Sequence, residues 1–203
     1  MLKILVPLPK KITIACSGGV DSMAVVDFLS RKHDVTCAFF HHGTENSERA
    51  NMFVANFCTE RNIPLLWGRC RSEKSKEESQ EEYWRRERYD FLSELGPVIT
   101  CHHLDDCVET YIWSSLHGTA KVIPLTRNNV LRPFLTTRKQ EFVSWCERHG
   151  VSWIEDTSNK DTKYMRNYVR NVLMPHALHV NPGLHTLVKK IVEGKAIKEL
   201  APS

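Results

Sequence analysis

The sequence predicts an α/β protein: a parallel sheet of about five strands with helices on both faces, followed by a short helical C-terminal extension. Two observations carry this. Short apolar runs rich in β-branched and aromatic residues alternate with longer segments whose apolar residues recur at helical spacing. After Gly150 the texture changes, and turn formers crowd together before a last helical pattern.

The elements are arranged in pairs. KITIAC precedes DSMAVVDFLSRK, DVTCAFF precedes SERANMFVANFCTERN, PLLWGR precedes EESQEEYWRRERYDFLSEL, and PVITC precedes DDCVETYIWSSLHG. A fifth pair is VLRPFL and then TTRKQEFVSWCERHG. Strands separated by helices require right-handed crossovers, hence a three-layer, Rossmann-like arrangement. The expected organisation is a main domain over 1–172 and a helical tail over 173–203.

Composition narrows the classes. Of 203 residues, 41% are hydrophobic and 26% charged, which fits a globular protein and excludes a disordered or fibrous one. No apolar run approaches the roughly 18 residues that span a bilayer, and MLKILVPLPKK is too soon interrupted for a signal peptide. A cytoplasmic protein with no membrane partner is expected. Seven cysteines without a Cys-x-x-Cys pair read as reduced, small apolar residues. The net charge of +4 is mild, but residues 151–203 hold eight Lys/Arg against five Asp/Glu, so a polyanion fits that end.

The first strand ends in ACSGGVDS, residues 15–22. Ligands of an open parallel sheet bind beyond the carboxyl ends of its strands, where this corner stands. Bare backbone at Gly18 and Gly19 lets N–H groups converge on an anion at a helix N-terminus, with Ser17 and Ser22 as hydroxyl donors. A tight turn alone would also explain the glycines. Asp21 would repel phosphate unless a cation such as Mg²⁺ stood between them. Neither common nucleotide-binding glycine fingerprint is present.

HHLDDCVET, residues 102–110, comes directly after the fourth strand and so reaches the same edge. Asp105, Asp106 and Glu109 would lie in a helix's first turns, where acids favour the dipole. Both aspartates share a face with Glu109, so spacing does not choose between them. A metal site using the two histidines is a minor alternative. Arg85 and Arg88 lie one turn apart on a helix whose Trp84, Phe91 and Leu95 can face the sheet, and Arg132 precedes Pro133 on extended backbone. Arginine forks suit phosphate, although pairing with Glu81 and Glu82 is the plain alternative. Asp156-Thr157-Ser158-Asn159 reads as a turn and cap, while Arg166, Asn167 and Arg170 put both arginines on one helical face.

SGGVDS resembles the phosphate-binding loop of the N-type ATP pyrophosphatases, the PP-loop superfamily with its adenine nucleotide alpha hydrolase-like fold. EEYWRRERY, HHLDDCVET, LRPFL, WIEDTSN and YMRNYVR fall in the order of the tRNA(Ile)-lysidine synthetases. The resemblance implies an ATP-dependent ligase that adenylates the anticodon wobble cytidine of tRNA(Ile) and joins free lysine to its C2. It implies ATP held by Ala15, Ser17, Gly18, Gly19, Val20, Asp21 and Ser22, with Mg²⁺ at Asp21. Catalysis would fall to Asp21, His102, Asp106, Glu109, Arg85 and Arg132. Asp106, Glu109, Arg88, Arg166, Asn167 and Arg170 would bind lysine and tRNA. Two departures stand out: Thr44-Glu45 where the family has Leu-Arg, and His117-Gly118 where it has Arg-Gly. By the same resemblance, a short form lacking the family's usual tRNA-gripping domains is expected. A thiolase of the same superfamily and a non-catalytic nucleotide- or RNA-binding relic are the rivals. The oligomeric state is left open, a homodimer included.

Overall fold

The computed structural model describes residues 2–155 and 161–200. Five of the six strands are parallel: β1 (Lys11–Ala15), β2 (Asp34–His41), β3 (Leu65–Arg69), β4 (Val98–Ile99) and β6 (Val130–Leu131). The sixth, β5 (Thr126–Arg127), runs antiparallel to β6 at the sheet edge and was not expected. It is two residues long, too short to show alternation, and it is made by the turn that feeds β6.

The order is β3-β2-β1-β4-β6-β5. The chain winds outward from β1 in one direction and, from β4, in the other. β1 and β4 are therefore the switch point, paired in register through Ile14 and Ile99. Residues just beyond Ala15 and just beyond Ile99 must emerge side by side.

Alternation along β2 builds both layers. Cys37 and Phe39 join the core beneath α1 (Val20–Ser30), α2 (Glu45–Glu60) and α5 (Lys139–His149). Ala38 and Phe40 point the other way, against Phe91 and Leu92 of α3 (Gln80–Ser93). Being buried on both faces, β2 reads as a continuous apolar run. A third cluster joins α4 (Leu104–Leu116) to the two C-terminal helices. Leu104, Cys107 and Val108 meet Met174 of α7 (Met174–Val180) and Leu184, Val188 and Val192 of α8 (Leu184–Leu200).

Between α5 and α7 lie α6 (Met165–Tyr168) and a wider π-helical turn, Val169–Leu173. The turn anticipated at Asp156-Thr157-Ser158-Asn159 lies outside the described residues. All seven cysteines are free thiols, five of them buried. Among the described residues, no helix is long and apolar enough to cross a membrane.

Candidate active site

The glycine corner is shaped by its own chain. Gly18 has φ +83°, and its carbonyl accepts from Ile154 N at 3.0 Å. A Cβ there would stand 3.1 Å from the Ile154 side chain and 3.3 Å from Val54, so geometry and packing both require glycine. Gly19 differs. Its φ of −74° suits any residue, and an added Cβ would meet only Ser17 Oγ, at 3.5 Å. Nothing in the fold asks for glycine at 19, so the bare backbone faces open space.

Ser22 holds the loop rather than offering a free hydroxyl. Its Oγ donates to Gly19 O at 2.9 Å and accepts from Ser17 N at 3.2 Å. No side chain caps α1, so the N–H groups of its first turn point outward with the positive end of the helix dipole. Val20 is packed into the core, and Ala15 closes β1 two residues before the loop turns.

Asp21 lies 3.6 Å from His103 Nε2 through one carboxylate oxygen. Its other oxygen, Oδ1, is buried without a hydrogen-bond partner. An orphaned carboxylate oxygen beside an anion cradle is what a Mg²⁺ ion shared with phosphates would occupy. Among the described residues, no cluster of three or more His, Cys, Asp or Glu could hold a metal by protein ligands alone. The donor set thus fits an ion carried in with a nucleotide.

Three residues past β4, the acidic corner begins. His103 and Asp106 cap α4 reciprocally, His103 N donating to Asp106 Oδ2 at 3.0 Å and Asp106 N to His103 Nδ1 at 3.4 Å. Burial alone would lower the His103 imidazole, but Asp106, Asp21 and Asp105 raise it above its ordinary value. His103 therefore bridges Asp21 and Asp106. The glycine corner and the acidic corner are neighbours.

The structure separates the two aspartates. Asp105 stays 3.6 Å from His103 Nδ1, but it accepts its hydrogen bond from Lys139 N at 2.8 Å and meets His185 Nε2 at 3.2 Å, so it ties α4 to α5 and α8. Burial would raise its carboxyl, yet His185, the Lys139 amide and nearby cations bring it down to about 2. Asp106 turns inward with Glu109, and both are buried. Arg166 reaches Asp106 at 2.8 Å and Glu109 at 3.3 Å; Arg170 reaches Glu109 at 2.6 Å and Asp106 at 3.3 Å. Two guanidinium groups thus clasp one carboxylate pair. Against burial, His103, Arg166 and His102 hold Asp106 well below the usual carboxylate range.

Beside this clasp lies a cleft of about 430 Å³. Arg85, Arg132, Arg166, Lys121 and Arg127 line it against the single carboxylate of Glu109, with His102, Tyr89 and Trp113 as its rings. Burial above all, and then the arginines Arg166, Arg132 and Arg88, press His102 down to about 3, so it is neutral near pH 7. Thr100 Oγ1 fixes its Nδ1 at 2.9 Å. Arg132 is 2% exposed, with its Nη1 donating to Pro124 O at 3.1 Å and its Nε left without a partner. Arg85 and Arg88 both sit over the Tyr89 ring. Burial would raise that phenol, but Arg132, Arg85 and Arg88 draw it below its ordinary value.

Asn167 donates to Asp161 O at 3.0 Å, on the turn before α6. The plain pairing of Arg85 and Arg88 with Glu81 and Glu82 is not what the structure holds. Glu82 closes a capping box with Ser79, while Arg86 pairs with Glu78 and with buried Glu87. Thr44 caps α2 by accepting from Ser47 N, which gives that departure a local role. Sequence reasoning overlooked the bridging role of His103, the arginine-ringed Tyr89, and the Trp113, Lys121 and Arg127 rim. Only His103 carried a signal, as the second histidine of a pair opening an acidic helix.

Comparison with known proteins shows the family. A profile of the PP-loop domain family matches residues 3–177. A tRNA(Ile)-lysidine synthase of Vibrio vulnificus is 32% identical over 183 residues, covering 81% of this chain and 42% of that protein. One from a Thermotoga species is 30% identical over 206 residues, covering 89% and 48%. The chain therefore spans less than half the length of these two relatives. Among solved structures, an NH3-dependent NAD synthetase of Campylobacter jejuni aligns with a TM-score of 0.54 at 15% identity, covering 97% of this chain and 90% of that one. That likeness concerns the fold alone.

Proposed function

This chain belongs to the PP-loop family, and from that premise we propose that it is an ATP-dependent tRNA-modifying ligase, forming lysidine at the anticodon wobble cytidine of tRNA(Ile). The relatives named for that reaction support the reading. One observation carries it: a buried carboxylate pair that already holds cationic nitrogen stands one histidine away from a phosphate-shaped glycine corner.

The chemistry divides between the two corners. In the first half, cytosine O2 attacks the α-phosphorus of ATP and pyrophosphate leaves. The first-turn amides of α1 hold the phosphates, and Arg132 and Arg85 meet charge developing on the transferring group. Asp21 would hold Mg²⁺ together with the nucleotide phosphates, and the ion would neutralise charge on them. Arg88, which shares the Tyr89 ring with Arg85, reinforces the positive field.

In the second half, the lysine ε-amine attacks C2 and AMP leaves. Free lysine is almost wholly protonated near neutral pH, so it must first be held and then deprotonated. Asp106 and Glu109 receive the ammonium as Arg166 and Arg170 give way. Glu109 takes the proton. His102 is too weakly basic in its buried, arginine-flanked place to compete, and serves as a fixed, neutral hydrogen-bonding group. We assign residues 1–172 to the catalytic domain and 173–203 to a helical tail, whose helices α7 and α8 pack on α4.

The direct test combines the purified chain with ATP, labelled lysine and a CAU-anticodon isoleucine tRNA transcript. Lysine incorporation with AMP release is expected. RNA binding without any incorporation overturns the ligase reading, and incorporation of sulfur from a donor in place of lysine would establish a thiolase.

A further inference from the structure

Beyond Glu109, α4 carries an aromatic group that the fold does not use. Tyr111 and Ile112 pack toward the α8 cluster, whereas Trp113 lines the cleft and is 39% exposed. Its ring is braced rather than loose. The His117 imidazole lies 4.1 Å from it, centroid to centroid, and His117 Nδ1 is 2.8 Å from Trp113 O. Met165 also lines the cleft and is half exposed. Together the held indole and the Met165 side chain give the cleft an apolar face on which a planar ring can stack.

Lys121 and Arg127 complete the rim. Among the described residues, neither pairs with a carboxylate, in contrast to Arg166, which lines the same cleft and meets Asp106 and Glu109. A held ring beside unpaired cations is the chemistry of a single-stranded nucleotide, its base stacked and its phosphate neutralised. ATP phosphates have their own cradle at the β1 corner, so they do not account for this rim.

We propose that Trp113, braced by His117, is a stacking platform for the unpaired RNA nucleotide adjoining the target base, with Lys121 and Arg127 on its phosphates. The platform rests on the tRNA-modifying reading and sharpens it. It binds RNA through its unpaired loop, at the mouth of the pocket where the base reacts. Trp113 is a positioning residue, and it touches no reacting atom.

The test measures binding of a labelled CAU anticodon stem-loop RNA to the full chain at two salt concentrations, alongside lysine incorporation at limiting RNA. Trp113→Ala should weaken binding about ten- to a hundredfold, with Trp113→Phe recovering most of it. ATP binding should not change. The double variant Lys121→Gln/Arg127→Gln should lower the salt dependence by roughly one to two phosphate contacts. This variant lies outside the core, so it carries the test even if Trp113→Ala fails to fold. Wild-type RNA affinity in Trp113→Ala, or an unchanged salt dependence in the double variant, overturns the platform. Incorporation that persists undiminished in Trp113→Ala removes the platform but leaves the ligase standing. RNA binding that depends on Trp113 without any lysine incorporation does the reverse.

Discussion

The glycine corner and the acidic corner adjoin at one sheet edge, yet they are prepared in opposite ways. At the first, Ser22 and the Gly18–Ile154 hydrogen bond fix the loop and leave the α1 amides uncapped. At the second, every strong partner is already present, because Arg166 and Arg170 neutralise Asp106 and Glu109. An open cradle gains whatever its anion contributes. A filled clasp gains only the difference between the incoming cation and the two it displaces. Phosphate binding should therefore be tight and direct, while lysine binding should be weak and sensitive to the segment that carries the arginines.

The largest expected effect falls where the corners meet. Asp21→Ala should lower lysine-dependent AMP release by about 10³-fold with the fold intact, because it empties the position between phosphates and His103. Product assays alongside thermal melting check it, and near-normal turnover would separate the corners functionally. Next comes Glu109→Gln. For a fully buried pair the loss would be about 3–5 kcal/mol, but Arg166 is 47% exposed, so about 2 kcal/mol is expected. Its activity defect should show chiefly as a raised KM for lysine, with ATP affinity preserved.

Asp105 supplies an acid-sensitive control outside the clasp. Its folded carboxyl, at about 2, lies below the ordinary 3.8. A depressed pKa contributes stability that is full above about pH 4 and is lost as pH falls through about 2. That contribution is about 2 kcal/mol at neutral pH, and Asp105→Asn should remove it along with that part of the acid limb, as urea denaturation across pH 7 to 2 would reveal.

The smallest effects distinguish the two glycines. Gly18→Ala should cost about 1–2 kcal/mol of stability, through its positive φ and the contact with Ile154. Gly19→Ala should leave melting almost unchanged and weaken ATP binding about tenfold, or ~1.4 kcal/mol. If both changed only stability, the corner would be a turn and nothing more.

Much of the fold was legible because hydrophobic period survives in a single sequence. The long helices and the runs that form β1, β2 and β3 fell where alternation and helical spacing put them. β5 did not, since two residues at an edge leave no pattern. The site was legible in part. Spacing could place Asp105 and Asp106 on a helix start, but their division of labour depends on Lys139 and His185, which lie 34 and 80 residues further on. Likewise, the i, i+4 relation of Arg166 and Arg170 is local, whereas the carboxylates they meet lie 57 or more residues earlier. Side-chain chemistry can be read along a chain. Which groups face one another is set by packing.

The π-helical turn at Val169–Leu173 has a consequence for how this chain can vary. It joins the arginine-bearing segment to α7 and α8, which are anchored on α4. A π turn contains one residue more than an α turn, so it sets the rotational phase of everything before it relative to that anchor. Losing a single residue from 171–173 would rewind the segment by about 100° and swing both guanidinium groups away from their acids, while α7 and α8 stayed docked. Single-residue length changes here should be far less tolerated than substitutions, and the clasp would act as a gauge of helical pitch.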